Sequence, residues 1–157
     1  MTQPYRIELL GAQDRSAFAS GAEVLDRYLQ QQAKQDMRRR VASCFVAVDA
    51  GGDIAGFYTI AASSLVLDLL PADEARRLPR YPTIPAVLLG RLAVAQAHQG
   101  KRLGGALVAD ALLRATRADV MAYAMLVDAK DDAAVRFYQH LGFTRLGEDG
   151  RRLIRAL

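Results

Sequence analysis

Between Ala95 and Gly105 the chain reads AQAHQGKRLGG, a polar stretch carrying glycines, set between an apolar run and a helical pattern. A turn of this kind leaves backbone N–H groups pointing outward at the positive end of the following helix dipole, which suits a pyrophosphate. Lys101 and Arg102 add charge at the same place. The stretch is not a P-loop, because GxxxxGK followed by Ser or Thr is missing, and GxGxxG is missing as well. On spacing alone, the same glycines also fit a plain strand-to-helix turn that uses them for geometry. Cys44 lies in an apolar stretch and reads as a buried structural thiol rather than a nucleophile. His98 reads as a loop residue and His140 as an exposed helix residue, and alone they cannot build a His-rich metal site. HExxH and GxSxG are both absent, so zinc and serine hydrolase readings have no motif. The pair Asp131-Asp132 reads as a helix N-terminal cap rather than a metal site, and no metal is expected.

The elements that must position these residues follow from periodicity. Tyr5 to Leu10 reads as a short strand. From Ala22 to Met37, the residues Val24, Leu25, Tyr28, Leu29 and Ala33 recur at helical spacing, and the helix runs into Arg38-Arg39-Arg40. Val41 to Val48 and Ile54 to Ala62 form a hairpin about the turn Ala50 to Asp53. Leu65 to Pro85 holds four of the five prolines. Pro71 to Leu78 there could form a short helix, with an extended loop through Pro79, Pro82 and Pro85 after it. Ala86 to Val94 is expected to be a strand buried on both faces. A helix follows the turn, with Leu103, Leu107, Ala111 and Ala115 at four-residue intervals. Tyr123 to Asp128 is a second buried strand, Asp131 to Leu141 a helix, and Phe143 to Leu146 with Arg151 to Ile154 a closing hairpin. Strand–helix–strand–helix order implies parallel pairing in the second half, and hence an α/β or α+β class with a mixed sheet.

A chain of 157 residues with 52% hydrophobic and 24% charged residues is of globular composition and is expected to form one domain over 1–157. One cysteine excludes an internal disulfide framework. The N-terminus shows no signal-peptide pattern, and the apolar stretches fall far short of the ~20 residues of a membrane span, so a soluble cytoplasmic protein is expected. The net charge of +4 lies in the C-terminal half, since residues 1–80 carry ten basic and ten acidic side chains against eleven and seven in 81–157. Arginine supplies eighteen of the 21 basic residues. That bias permits a phosphorylated ligand or nucleic acid without showing either.

Two segments together resemble the GCN5-related N-acetyltransferase (GNAT) family. Gln99-Gly100-Lys101-Arg102-Leu103-Gly104-Gly105, preceded by Leu92-Ala93-Val94, is similar to the family's motif A, Q/R-x-x-G-x-G/A after a strand. Asp131 to Phe143, DDAAVRFYQHLGF, is similar to N-x-x-A-x-x-F/L-Y-x-x-x-G-F. Arg102 stands where the motif has its first glycine, and Asp131 where it has asparagine. The resemblance implies a central mixed sheet flanked by helices, with parallel strands splayed around an acetyl-CoA site. It implies cofactor contacts from Leu92 to Val94, from Gln99 to Gly105, and from Asp131 and Phe137. It also implies direct attack of a primary amine on the thioester, with Tyr138 protonating the departing thiolate; read by itself, Tyr138 also fits a core-facing helix aromatic.

A subset of the family, the acetyltransferase toxins of bacterial toxin–antitoxin pairs, resembles the chain further in VLDRYL (Val24 to Leu29), in the proline-bearing insertion, in IPAVLLGRLAV (Ile84 to Val94) and in LVDAKDDAAVRFYQHLGF (Leu126 to Phe143). That likeness implies aminoacyl-tRNA as acceptor and a ribbon-helix-helix antitoxin as partner, and a homodimer is expected. Arg38, Arg39, Arg40, Arg76, Arg77, Arg80 and Arg91 are the candidate phosphate contacts. For Arg38 to Arg40 a solvated run complementing a helix dipole fits equally. Acetylation of a small amine or protein N-terminus, and a non-catalytic acyl-CoA-binding module, are the alternative readings.

Overall fold

A computed structural model describes residues 4–147 and 150–157. Its strands are β1 (Arg6–Leu9), β2 (Ser43–Val48), β3 (Ile54–Val66), β4 (Thr83–Val94), β5 (Ala124–Asp128), β6 (Thr144–Arg145) and β7 (Arg152–Ala156). They form one seven-stranded sheet in the order β1-β2-β3-β4-β5-β7-β6. The sheet is mixed as expected, with β4 and β5 parallel and β1–β2, β2–β3, β5–β7 and β6–β7 antiparallel. The chain divides into two compact units, Met1–Ala61 with Gly90–Leu113, and Ala62–Leu89 with Arg114–Leu157. Among the described residues no helix is long and apolar enough to cross a membrane.

In the first unit, the periodicity over 22–37 becomes α1 (Glu23–Arg27), a π-helical turn (Tyr28–Gln32) and α2 (Ala33–Arg38) without a break. Tyr28, Leu29 and Ala33 pack with Phe18, Val46 and Phe57 in the core. In the π turn the Ala33 N–H bonds back to the Tyr28 carbonyl. The Leu29 carbonyl accepts instead from Arg15 Nη1 at 3.1 Å. A side chain distant in sequence thus satisfies a carbonyl beside the widened turn.

The end of α2 explains the arginine run. Arg40 N–H bonds the Met37 carbonyl and Val41 N–H the Asp36 carbonyl, both at 3.0 Å. Arg40 has φ 62°. These are the paired bonds and the left-handed residue that close a helix, a position that favours glycine. Arg38, Arg39 and Arg40 are exposed there, at the negative end of the helix dipole. In the hairpin that follows, Asp49 Oδ1 accepts the Gly51 and Asp53 N–H groups at 2.9 and 3.0 Å. Cys44 on β2 is buried, and burial pushes its thiol up to about 12, as the structural reading requires.

Helix α4 (Leu103–Arg117) buries Leu103, Leu107, Val108, Ala111 and Ala115, the apolar stripe the sequence predicts. It approaches β3 closely at Gly56, where a Cβ would stand 3.0 Å from the Ala93 carbonyl oxygen and from a Leu107 methyl.

The second unit has its own core, including Leu65, Leu67, Ile84, Ala86, Leu126 and Ile154. Helix α3 (Ala72–Ala75) is shorter than Pro71 to Leu78, with Pro71 as its cap. β4 differs from expectation in two ways. It begins before Pro85, which the loop reading excluded from the strand; the Pro85 carbonyl accepts the Tyr123 N–H at 2.9 Å, and the β5 register starts only at Ala86. It is also not buried on both faces, because Ile84, Ala86, Leu89 and Ala93 are buried while Pro85, Gly90 and Arg91 are exposed. Ala124 to Val127 of β5 are all buried, as predicted.

Arg40 in the left-handed region costs backbone strain that glycine does not incur. Arg40→Gly is expected to raise stability by about 0.5–1 kcal/mol, read as a rise of about 2–3 °C in thermal midpoint. Arg40→Val, with a branched Cβ, lowers the midpoint in the same measurement.

Candidate active site

The first unit carries the glycine-bearing turn. The β5 register ends at Leu89↔Val127, while β4 itself runs on through Leu92-Ala93-Val94. The chain leaves β4 with the Ala95 N–H on the Ala55 carbonyl at 2.8 Å and the Gln96 N–H on the Ala19 carbonyl at 2.8 Å. Gln99, expected as a cofactor contact, uses its side-chain amide to fix the turn, donating to the carbonyls of Ser20 at 2.9 Å and Val94 at 3.1 Å. Gly100 follows with φ 80°, and Arg102 with φ 63°. Arg102 therefore adopts the left-handed backbone conformation that glycine enters freely, at the position where the motif it resembles has glycine.

The Ala106 N–H bonds the Arg102 carbonyl at 3.3 Å, so Arg102 is the residue at which α4 starts. Leu103, Gly104 and Gly105 then occupy the first turn, whose N–H groups have no acceptor within the helix. Leu103 points into the core, and Gly104 and Gly105 are half-buried. Lys101 and Arg102 are exposed. A cationic helix N-terminus headed by glycines fits a diphosphate.

His98 ends the 3-10 turn Gln96–His98. It is not a free loop residue. Its Nδ1 stands 2.8 Å from the Tyr5 hydroxyl, and its Nε2 stands 3.3 Å from Asp49 Oδ2. Three segments meet there that no local pattern connects.

The second unit carries the tyrosine helix, α5 (Asp132–His140). Asp131 Oδ1 accepts the Ala134 N–H at 2.8 Å, so the carboxylate expected to touch a cofactor arm caps the helix. Tyr138 is 9% exposed and packs edge-on against Phe137 and Phe143, with ring centroids 5.0 and 5.6 Å away. Phe137 is the less buried of the Phe-Tyr pair. Burial pushes the Tyr138 phenol up to about 12, so it holds its proton throughout the neutral range. His140 is exposed at the helix end.

The candidate arginines differ in their surroundings. In the first unit, the Arg91 guanidinium lies 3.8 Å over the centroid of the Tyr28 ring, a cation–π contact. The Tyr28 hydroxyl in turn donates to Asp36 Oδ2 at 2.7 Å. Gln32 and Tyr28 hold the Asp36 carboxyl below the usual carboxylate range. In the second unit, Arg76 pairs with Asp73 at 3.1 Å on the surface, and Arg80 is exposed. Arg77 lines a groove with Glu74, Leu78 and Tyr123, where the Tyr123 hydroxyl donates to Glu74.

Residues 40–145 match the acetyltransferase (GNAT) domain model. The chain is 36% identical over 134 residues to a tRNA-acetylating toxin of Mycobacterium tuberculosis (strain ATCC 25618 / H37Rv), covering 84% of this chain and 79% of the relative. Among solved structures it is similar to AtaT complexed with acetyl-methionyl-tRNAfMet, with TM-score 0.88 and 28% identity over 97% of this chain and 94% of the other. A tyrosine-to-phenylalanine mutant of the toxin AtaT, bound to the C-terminus of the antitoxin AtaR and acetyl-CoA, matches with TM-score 0.79 and 25% identity over 98% and 94% of the two chains.

The raised phenol of Tyr138 links stability to alkaline pH. The folded chain keeps this proton up to about 12 while the unfolded chain releases it near 10.0. The associated stability is complete below the unfolded value and is lost as pH rises through the folded one. Tyr138→Phe is therefore expected to show a shallower fall of thermal midpoint with pH across that window than the parent chain. The fall is not abolished, because Tyr123 is also raised to about 12 by burial and by its bond to Glu74.

Proposed function

Because the chain belongs to the GNAT acetyltransferase family, we propose that it moves the acetyl group of acetyl-CoA to the α-amine of an aminoacyl-tRNA, as the toxin of a toxin–antitoxin pair. Acetyl-CoA-dependent N-acetyl transfer follows from membership of the family. The choice of acceptor is carried by the likeness, across nearly the whole chain, to a structure that holds an acetylated aminoacyl-tRNA.

In this reading the N–H groups at the start of α4, with Lys101 and Arg102, take the pyrophosphate of the donor. N–H groups along Leu92 to Val94 orient the thioester and polarise its carbonyl. The acceptor nitrogen forms the new C–N bond as the C–S bond breaks, and Tyr138 gives its phenolic proton to the departing sulfur. The surplus proton on the amine leaves to solvent, from which the phenol is restored. No covalent acyl-enzyme is required, in keeping with the burial of Cys44. Arg38, Arg39, Arg40, Arg76, Arg77, Arg80 and Arg91 supply phosphate contacts to the RNA. A cytoplasmic homodimer restrained by a ribbon-helix-helix antitoxin completes the proposal; the complex of AtaT with the antitoxin AtaR supports an antitoxin as partner.

Labelled acetyl-CoA with total charged tRNA and a panel of small amines tests this. Label is expected on aminoacyl-tRNA, with a KM for tRNA that rises steeply with salt. Tyr138→Phe is expected to lower kcat by about a hundredfold or more with little change in acetyl-CoA affinity. Transfer to a polyamine without transfer to any aminoacyl-tRNA overturns the acceptor. Unchanged turnover in Tyr138→Phe overturns the acid role.

A further inference from the structure

The turn that heads α4 is held firmly at one end and loosely at the other. Ala95 and Gln96 are tied by backbone bonds, and Gln99 by its amide. Beyond Gln99, Gly100 has no atom within 4 Å of where a Cβ would stand, and Lys101 and Arg102 are exposed. His98 adds a restraint of another kind at this boundary. Tyr5 leads into β1, and Asp49 closes β2 at the hairpin turn, so both lie outside the turn and far from it in sequence. The His98 and Asp49 side chains are only 18% and 21% exposed, so solvent screens the contact weakly. A carboxylate beside Nε2 favours a proton on that nitrogen, which leaves Nδ1 to accept the Tyr5 hydroxyl. The two contacts therefore support each other through one tautomer. The Tyr5 ring also packs edge-on against the imidazole, with centroids 5.4 Å apart.

We propose that His98 is a positioning residue for CoA: clasped between Tyr5 and Asp49, it holds the turn in the shape that takes the pyrophosphate. The proposal rests on the reading of that turn as the pyrophosphate site. Physically, the clasp reduces the conformations the turn samples when empty, so less ordering remains to be done on binding. It acts on affinity for the phosphate-bearing part of the donor and leaves the pantetheine arm untouched.

The test is equilibrium binding of CoA and of pantetheine to the full chain, by calorimetric titration and competition, without an acceptor. The parent chain is expected to bind CoA far more tightly than pantetheine, which lacks the pyrophosphate. His98→Ala is expected to weaken CoA by about tenfold with pantetheine unchanged. Tyr5→Phe should weaken CoA by a smaller factor, and His98→Gln, which restores a donor towards Asp49, should recover part of the loss. Equal weakening of both ligands in His98→Ala means a general structural role and overturns the proposal, as does unchanged CoA affinity. A parent chain that binds the two ligands alike instead overturns the pyrophosphate reading, and so fails at a different point.

Discussion

A strand that ends and a helix that begins within a few residues leave backbone groups that neither element can pair, and their disposal governs the first unit. The N–H groups of Ala95 and Gln96 go to the carbonyls of Ala55 and Ala19. The carbonyls of Val94 and Ser20 go to the Gln99 amide. Residues of several segments are thereby committed to the way out of β4. What remains is the set at the start of α4, which no helix satisfies internally, borne by residues small enough to let a ligand approach. Gly56 serves the same end from below. With no Cβ it lets the first turns of α4 settle against β3, where a methyl would crowd the Ala93 carbonyl.

Much of this was legible in the sequence, for reasons that differ between elements. The stripe of α4 shows because its burial is periodic, and β5 because a short apolar run with both faces covered has few other uses. The Asp131 cap shows because an acidic residue before a helical run has a standard local role. The misses are non-local. The π turn at Tyr28 is completed by Arg15, and nothing in the helical pattern announces an acceptor for that guanidinium. Pro85 lies inside β4 because its position precedes the parallel register, which depends on β5. His98 gave no signal at all, since its partners at positions 5 and 49 are adjacent only after folding.

Arg102 shows how a motif can be read too literally. The pattern asks for glycine, and the residue present belongs to a type that seldom adopts positive φ. The backbone here has φ 63°, a conformation that glycine enters freely. The exposed guanidinium adds charge at the start of α4. Arg40 is in the same conformation at the end of α2, where it closes a helix rather than heading one. Similar geometry therefore carries different meaning, set by which end of a helix dipole the residue occupies.

Burial acts on Cys44 and Tyr138 alike, pushing each up to about 12, with opposite chemical consequences. A thiol must lose its proton to attack, so desolvation silences Cys44. A phenol must keep its proton to donate, so desolvation maintains Tyr138 in the form an acid needs. Raising the phenol also weakens it as an acid, which would defeat donation to a thiolate of ordinary basicity near 8.5. A thiolate released into comparably apolar surroundings is raised by the same desolvation, as Cys44 shows for a thiol of this protein. Under the proposed function, donor and acceptor rise together in such surroundings, and the proton passes as the C–S bond opens. A buried tyrosine among aromatic rings thus suits direct transfer, and a buried cysteine does not suit a covalent route.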